Sequence, residues 1–593
     1  MGLRWEPTLS LEEADAIMCG PGMPHEMETC LVDGKHVMRV YKNLWPSLRD
    51  FWLASVKQNS QNIYVVLGNV RLTYGQVHDK AIKVAAVFRN VYDIRKGDRV
   101  CIASRNCPEY LMVFWACHML GAITVLANAW LPAQPLHHCI INTQCKLLVL
   151  DHERADRLES DIISLRQRAG STGVLVFDHT RKSWNAMDSL NSVVDTWNPD
   201  GASQTRQEIL EQVTDIRPED NATIIFTGTT GLPKGVLSTN RQFLTNVINV
   251  SAAGIRASLR RGHGLPSSPT GPQKGVLLSA PLFHVTGLTS YSMVATMNGF
   301  KIIMMHKWNP EDAARLIKTE NVAIAGGVPA MVADLVRSSL VGFPLEGLLF
   351  GGSSSPDSLA DRAKEAFPGA IMSQAYGLTE TNSVAVAISG DDYLSRPSST
   401  GRPCPVNDVM IMHGDRMVDA GTTGEVWLRG PNVMKGYWND SDATAKIITS
   451  DGWLKSGDLG YLDTEGFLYI KDRLKDVILR GGENIDSVSV ENALYSDSRV
   501  IEAAAVGVPD ERLGELVAAV VYVKPESRGE VTEETLIALA QTRLPGFAVP
   551  VMIKLVDKPF ELTPSGKIMK AGLRNLARKI WEERKAVMRG AKL

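Results

Sequence analysis

The stretch TIIFTGTTGLPKGV, residues 223–236, places a short apolar run directly before a loop rich in glycine and threonine. The apolar run is typical of a β-strand, and the glycines allow the following backbone to curl closely around an anion. Threonine hydroxyls and one lysine add donors and a positive charge, so the loop fits a polyphosphate. The residues predicted to form this loop are Thr227, Gly228, Thr229, Thr230, Gly231 and Lys234. It is not a Walker A loop, because Pro233 precedes the lysine and Gly235 follows it. An ordinary glycine-rich turn is the alternative.

Outward from this loop, short β-rich runs alternate with helical patterns for most of the chain. This alternation predicts an α/β fold, with layered subdomains of largely parallel strands. Near residue 400 the pattern changes to short strands and turns, which predicts a small β subdomain near 400–474. After residue 476 a compact mixture of helix and strand runs to the end of the chain, which predicts a small α+β domain there. The basic and Pro/Ser/Gly-rich segment 256–276 is expected to form a mobile surface loop.

The composition is typical of a soluble globular protein, with 593 residues, 44% hydrophobic and 22% charged, and a formal net charge of −2. This balance indicates no nucleic-acid partner, although a local positive site for a small anion remains possible. Eight cysteines without a CxxC pair indicate neither a zinc site nor a dithiol redox site. The stretch 110–127 has no charged residue over 18 positions, the minimum for a membrane span. Because Gly121 divides it, we expect a buried helix followed by a buried strand, and no transmembrane segment.

Several further stretches accompany the loop. TGTTGLPKG resembles the phosphate-binding signature of the adenylate-forming enzymes, which include acyl-CoA synthetases, firefly-luciferase-like enzymes and the adenylation domains of peptide synthetases. Other elements of that family follow in the family's order: PLFHVTG (281–287), QAYGLTE (374–380), GWLKSGDLG (452–460), DRLKDVILRGGENI (472–485) and PSGKIMK (564–570). The resemblance covers nearly the whole chain, less clearly its first 45 residues, and the chain is most similar to acyl-CoA ligases.

The resemblance implies a site for ATP and Mg²⁺. It places Tyr376 on the adenine, Thr379 near the α-phosphate and Glu380 on Mg²⁺, a hard ion that takes carboxylate and phosphate oxygens. Asp458 is the implied acceptor for the ribose hydroxyls, with Arg473 assisting; a salt-bridged surface pair is the alternative. Further nucleotide-binding positions are implied at Gly352, Ser353, Ser354, Gln374, Ala375 and Gly377.

The last two motifs imply a mobile domain that serves two steps. Lys567 matches the family's lysine that reaches the reacting carboxylate and α-phosphate oxygens. Lys475 matches the pivot about which the small domain swings after adenylation. The resemblance therefore implies a large N-terminal domain over 1–474 and a small, mobile α+β C-terminal domain over 475–593. The swing is implied to bring Gly481, Gly482 and Glu483 toward the tunnel used by coenzyme A; a glycine-rich hairpin is the plain alternative. The implied catalytic residues are Lys567, Thr379, Glu380 and His284.

The implied activity is an ATP-dependent acyl-CoA synthetase that forms an acyl-AMP and then a coenzyme A thioester. A carrier-loading adenylation enzyme, a luciferase-like oxygenase and an inactive nucleotide-binding protein remain alternatives. The resemblance places the acid beside His284, Thr286, Gly327, Ala330 and Gly351, and the small residues there favour a medium- or long-chain or an aryl acid. The C-terminal Ala591-Lys592-Leu593 resembles a peroxisomal address, so we expect a peroxisomal import receptor as partner and otherwise a cytoplasmic protein.

Overall fold

The computed structural model describes residues 5–177, 183–197, 202–211, 215–227, 232–265, 271–352, 356–481, 483–563 and 567–590. Two large, mainly parallel sheets form the framework of its N-terminal part. Strands such as Leu147–Leu150 are buried along their whole length, as is usual where helices cover both faces of a parallel sheet. These layers of helix and sheet confirm the predicted α/β fold class.

The first large sheet has eight strands and carries the phosphate loop. Its strands, in spatial order, are Gly436–Tyr437, Gly235–Thr239, Asn221–Phe226, Ile123–Leu126, Arg99–Ala103, Leu147–Leu150, Gly173–Val176 and Asp188–Ser189. The first two pairings in this order are antiparallel and the rest are parallel.

The second large sheet has nine strands and carries the motif around Glu380. Its strands, in spatial order, are Arg402–Pro403, Ser383–Ser389, Ile371–Leu378, Gly347–Gly351, Val322–Gly327, Gly275–Leu278, Lys301–Met304, Ile63–Leu67 and Val70–Thr73. The outer pairings are antiparallel and the central ones are parallel.

Smaller sheets complete the strand structure. An antiparallel sheet follows the two large ones in the chain, with strands Arg416–Met417, Asp408–His413, Gly424–Arg429, Leu454–Leu462 and Leu468–Arg473. The C-terminal sheet contains Glu483–Ile485, Ile478–Arg480, Gly514–Val523, Val500–Asp510 and Met552–Val556. A separate hairpin near the N-terminus pairs Met27–Val32 with His36–Tyr41. The five-stranded antiparallel sheet ends at Arg473 and the C-terminal sheet begins at Ile478, so the predicted pivot at Lys475 lies between them.

Helices cover the sheets. The α-helices are Leu11–Met18, Leu48–Asn59, Tyr74–Asn90, Pro108–Met119, Ala133–Asn142, His152–Leu158, Ile162–Ala169, Leu190–Thr196, Ala202–Glu211, Asn240–Arg260, Met293–Met297, Pro310–Thr319, Pro329–Arg337, Asp357–Ala366, Gly390–Ser395, Ser441–Ile447, Ser487–Tyr495, Glu533–Gln541 and Lys570–Gly590. Single turns of tighter helix occur at Glu159–Asp161, Thr379–Thr381 and Pro525–Ser527, and a wider π-helical segment at Thr286–Ser292.

The uncharged stretch 110–127 folds as predicted. It contains the end of the buried helix Pro108–Met119 and the buried strand Ile123–Leu126, and Gly121 takes a φ of 69° between them. Within the described ranges, no helix combines the length and the apolar character needed to cross a membrane.

The expectation of a mobile loop over 256–276 is wrong at both ends. Residues up to Arg260 belong to the helix Asn240–Arg260, and a strand begins at Gly275. The basic residues are paired: Arg256 bonds Asp15 at 2.6 and 3.1 Å, and Arg260 bonds Asp392 at 2.8 and 3.1 Å. These partners are distant in sequence, so the local composition could not indicate them.

Candidate active site

The base of the predicted phosphate loop is closed by the backbone. The Thr227 N–H donates to the Lys234 carbonyl oxygen over 3.0 Å, just beyond the last pairing of the two strands that flank the loop. Thr227 is buried, and its hydroxyl has no hydrogen-bond partner among the described residues. A buried, unpaired hydroxyl is available to a ligand. The predicted loop residues Gly228, Thr229, Thr230 and Gly231 lie outside the described part of the chain.

A tight backbone approach shapes the turn that presents Glu380. A Cβ added at Gly377 would lie 1.5 Å from the Ser383 carbonyl oxygen, so only glycine fits there. Asn382 and Ser383 take φ values of 54° and 105°, in a region that residues with side chains rarely adopt. Backbone in such regions is often found at functional sites, where the surrounding structure holds it in place.

This turn brings Thr379 and Glu380 to the cleft between the two large sheets. Glu380 accepts a hydrogen bond from the Tyr437 hydroxyl over 2.7 Å. On the preceding strand, the Gln374 side-chain oxygen is buried without a partner among the described residues. The turn therefore offers a carboxylate to a cation and an amide oxygen to a donor.

The residues predicted for adenine and ribose contact one another. The Tyr376 hydroxyl donates to Asp458 Oδ2 over 2.7 Å, and Arg473 Nε lies 3.2 Å from Asp458 Oδ1. Asp458 and Arg473 face each other on adjacent antiparallel strands. Burial raises the pKa of Asp458, and the Arg473 guanidinium is the largest opposing influence. The pair is thus a half-buried salt bridge with its carboxylate inside the cleft, and not a surface pair.

Lys567 reaches the same cleft from the C-terminal part of the chain. Its backbone is fixed by Thr563, whose N–H donates to the Lys567 carbonyl at 2.7 Å and whose hydroxyl accepts the Lys567 N–H at 3.0 Å. Its side chain passes Gly352, where an added Cβ would lie 3.6 Å from Lys567 Cε. Burial, and then Arg473, lower the pKa of Lys567 to about 8, although Asp458 and Glu380 act in the opposite direction.

His284 is the polar residue of the predicted acyl pocket. It accepts the Thr286 N–H at Nδ1 over 3.2 Å, so in the neutral ring Nε2 carries the proton. Burial is the main cause, and Lys567 the second, of a His284 pKa lowered to about 3. The imidazole is therefore neutral at physiological pH, and its Nε2–H is a hydrogen-bond donor.

These elements border one cleft of about 1670 Å³. The predicted site residues that line it are Thr227, His284, Thr286, Gly327, Ala330, Gly351, Gly352, Gln374, Ala375, Tyr376, Gly377, Thr379, Glu380, Asp458, Arg473, Lys475 and Lys567. The lining fits a nucleotide triphosphate, because Lys475 and Lys567 supply positive charge and because the Thr227 hydroxyl and the Gln374 side-chain oxygen have no partner among the described residues. The predicted phosphate-binding Lys234 lies at the base of the loop and is not one of the lining residues. Glu380 fits Mg²⁺, which is commonly held by one or two carboxylates together with phosphate oxygens.

Other predicted residues lie elsewhere or are not described. Gly481 and Glu483 are exposed on the hairpin Ile478–Ile485 and do not line the cleft. Gly482, Ser353, Ser354 and the tripeptide Ala591-Lys592-Leu593 lie outside the described residues.

Sequence reasoning missed two residues of this site. Tyr437 contacts both Lys234 and Glu380, and the Ser456 hydroxyl accepts the Asp458 N–H over 3.0 Å. Tyr437 has no local signature, because its role depends on a strand pairing between distant segments. Ser456 lies in the GWLKSGDLG motif, two residues before Asp458. That position in the sequence could have indicated that its hydroxyl contacts the Asp458 backbone.

Comparison with known proteins places the chain in a family. The sequence pattern of the AMP-binding enzyme family matches residues 52–438, and that of the AMP-binding enzyme C-terminal domain matches residues 489–567. The chain therefore belongs to the AMP-binding enzyme family, which confirms the family predicted from the motifs.

Individual relatives agree along most of the chain. It is 30% identical over 516 residues to feruloyl-CoA synthase from Amycolatopsis sp., covering 86% of this chain and 94% of the relative. It is 30% identical over 512 residues to a long-chain-fatty-acid–CoA ligase of Mycobacterium tuberculosis, covering 85% and 93%. The solved structure of o-succinylbenzoate coenzyme A synthetase from Bacillus subtilis, in complex with ATP and magnesium ion, superposes with a TM-score of 0.70 at 26% identity, covering 90% and 99%.

Proposed function

We propose that this enzyme is an AMP-forming acid–thiol ligase that converts a carboxylic acid, ATP and coenzyme A into an acyl-CoA, AMP and pyrophosphate. The observation that supports this most is the convergence of Lys567, Glu380 and Asp458 on one cleft that continues into the predicted acyl pocket. These residues come from three separate parts of the chain, yet they supply the charges that joining a carboxylate to a nucleotide requires.

The reaction has two steps. In the first, a carboxylate oxygen of the acid forms a bond to the α-phosphorus of ATP, and the bond from that phosphorus to pyrophosphate breaks. Lys567 balances negative charge on the carboxylate and α-phosphate oxygens, while Lys234 holds the outer phosphates. Glu380 would hold Mg²⁺, which would supply positive charge to the phosphates. In the second step, the sulfur of coenzyme A bonds to the acyl carbon, AMP leaves, and the thiol proton passes to solvent.

The acid is proposed to be a medium- or long-chain fatty acid or an aryl acid. The lining around the predicted pocket includes Val250, Ala253, Val285, Tyr291 and Val294, which offer apolar surface. His284 is neutral, so it contributes a hydrogen bond rather than a charge that would attract a second carboxylate. Relatives that act on feruloyl and long-chain acyl groups are compatible with both acid classes.

A product assay tests the proposed reaction. The enzyme with ATP, Mg²⁺, coenzyme A and acids from C2 to C18 plus several aryl acids should release AMP and pyrophosphate and form an acyl-CoA, whereas without coenzyme A it should release pyrophosphate and retain an acyl-AMP. Release of ADP and phosphate would contradict the proposal. Acid-dependent pyrophosphate exchange with no acyl-CoA formed from free coenzyme A would instead favour a carrier-loading enzyme, and light emission or oxygen uptake would favour a luciferase-like oxygenase.

We also propose that Ala591-Lys592-Leu593 is recognised by a peroxisomal import receptor. The support is the similarity of the tripeptide to the Ser-Lys-Leu address. A fluorescent protein fused to the N-terminus should give a punctate distribution, and deletion of the tripeptide should make it diffuse. A full-length fusion that is already diffuse would leave a cytoplasmic enzyme as the better interpretation.

A further inference from the structure

A short segment, Met434–Trp438, connects the two large sheets at the active site. Its backbone bonds one sheet through Lys435 N–H to the Leu237 carbonyl at 2.9 Å and Trp438 N–H to the Gly235 carbonyl at 2.7 Å. It bonds the turn of the other sheet through Met434 N–H to the Glu380 carbonyl at 2.7 Å. We call this segment the strap. It holds the base of the phosphate loop at a fixed place relative to Glu380.

Tyr437 is the strap residue whose side chain contacts both functional groups. The Lys234 ammonium lies 5.0 Å from its ring centroid, within the range of a cation–π contact. Its hydroxyl donates to Glu380 Oε1 over 2.7 Å. One half-buried side chain therefore contacts the predicted phosphate-binding lysine with its ring face and the predicted Mg²⁺ carboxylate with its hydroxyl.

The two groups carry opposite charge, and direct pairing would compete with their ligands. Among the described ion pairs there is none between Lys234 and Glu380, although both contact the same tyrosine. A lysine neutralised by a carboxylate would attract phosphate less strongly, and a carboxylate held by a lysine would be less available to Mg²⁺. Tyr437 contacts each charged group without neutralising its charge, because its ring face and its hydroxyl are both uncharged.

We propose that Tyr437 is a positioning residue that keeps Lys234 and Glu380 apart and orients them, so that one binds phosphate and the other binds the metal ion. This inference rests on the proposed function, because it takes ATP and Mg²⁺ as the ligands of these two groups. It adds a residue that acts through Lys234 and Glu380.

The strap backbone does not depend on the Tyr437 side chain. The Tyr437 N–H donates to the Thr444 hydroxyl at 2.9 Å, and Tyr437 pairs with Val236 in the sheet. The neighbouring bonds of Met434, Lys435 and Trp438 involve main-chain atoms. Substitution of the side chain should therefore leave the strap in place, so that changes in ligand binding report on the ring and the hydroxyl.

Two variants separate the two contacts. Tyr437→Phe keeps the ring beside Lys234 and removes the donor to Glu380, whereas Tyr437→Leu removes both. Tyr469→Phe is the matched control, because it removes a tyrosine hydroxyl bond to a carboxylate, Asp463, at 3.3 Å and does not line the cleft. Circular dichroism and thermal unfolding show whether each variant is folded.

Two binding measurements test the contacts of Tyr437 with Lys234 and Glu380 without catalytic turnover. ATP affinity in the presence of EDTA, measured by calorimetry, reports on Lys234. Mn²⁺ affinity in the presence of a non-hydrolysable ATP analogue, measured from the free Mn²⁺ signal in electron paramagnetic resonance, reports on Glu380. Loss of a residue that orients a metal ligand typically weakens metal binding about 10- to 100-fold. Loss of an exposed cation–π contact corresponds to about a two- to fivefold change in affinity.

We expect Tyr437→Phe to weaken Mn²⁺ binding about tenfold or more while metal-free ATP binding stays within about twofold of wild type. Tyr437→Leu should weaken Mn²⁺ binding at least as much and metal-free ATP binding by about two- to fivefold. Tyr469→Phe should match wild type in both. If the wild-type enzyme binds ATP, two results would overturn the inference. One is unchanged Mn²⁺ binding in folded Tyr437→Phe, and the other is unchanged ATP binding in folded Tyr437→Leu. A wild-type enzyme that does not bind ATP overturns the proposed function itself.

Discussion

At the scale of single residues, Lys567 is a cleft lysine whose pKa burial lowers to about 8. We predict that Lys567→Ala lowers the rate of acyl-AMP formation by about 10² to 10³, as the loss of a charged transition-state contact does. Transfer of a supplied acyl-AMP to coenzyme A should be nearly unchanged, because we propose that the lysine acts in the first step alone. Pyrophosphate exchange and thioester formation measure the two steps separately. Lys558→Ala, at an exposed lysine of the same domain, is the control. Equal losses in both steps would contradict this assignment.

The Lys567 pKa makes closure of the C-terminal domain depend on pH. In the closed arrangement the pKa is lowered to about 8, whereas a lysine released into water has its usual value of 10.5. Between these values the open form binds more protons, so closure releases a proton and becomes more favourable as pH rises from about 8 toward 10.5. Energy transfer between dyes on the two domains, without ligands, should report a rising closed fraction over this window. Lys567→Met should remove most of that rise; a fraction that falls with pH would show that other groups dominate.

At the scale of elements, the turn after the strand Ile371–Leu378 depends on one glycine. In Gly377→Ala the new methyl group would overlap the Ser383 carbonyl, so the strand and the turn must separate. We predict a loss of about 1–3 kcal/mol in the free energy of unfolding, together with weaker Mg²⁺-dependent activity because Glu380 is displaced. Thermal unfolding and activity at several Mg²⁺ concentrations check this. Gly369→Ala is the control, since its nearest contact lies at 3.9 Å. Wild-type behaviour of Gly377→Ala would mean that the turn is looser than described.

The elements show where sequence reasoning works. The motif residues Tyr376, Glu380, Asp458 and Lys567 were assigned roles by resemblance, and the structure brings them to one cleft. Helix and strand types followed from local patterns, as at 110–127. The end of the helix Asn240–Arg260 could not be predicted from local patterns, because its arginines pair with carboxylates that are distant in sequence. Tyr437 was missed for the same reason: nothing near it in the chain shows that two strands far apart in sequence place it between a lysine and a glutamate.

At the scale of the whole molecule, the C-terminal domain is closed over the cleft, with a contact across the predicted pivot. The Asp472 carboxylate accepts the Ser487 N–H at 2.5 Å and its hydroxyl at 3.1 Å. Lys475 is exposed between these two residues. The exposed hairpin with Gly481 and Glu483 does not reach the cleft in this arrangement. We propose that a rotation of the domain brings it to coenzyme A.

We predict that Lys475→Pro spares acyl-AMP formation and lowers thioester formation, because proline fixes φ at the point where the domain must turn. Lys475→Ala is the matched control, since it removes the same side chain but leaves the backbone free, and it should support both steps. The ratio of thioester formation from pre-made acyl-AMP to pyrophosphate exchange is the measurement. A ratio that is equal in the two variants would place the pivot elsewhere.

The order of strands in the nine-stranded sheet has a consequence for synthesis of the chain on the ribosome. The strand Ile63–Leu67 lies beside Lys301–Met304, and Val66 pairs with Ile303, roughly 240 residues later. At about 5–20 residues per second, the early strand emerges about 10–50 s before its partner exists. Its sequence, IYVVL, is strongly apolar. The nascent enzyme therefore spends that interval with an apolar strand edge unpaired, which makes this segment prone to aggregation during synthesis.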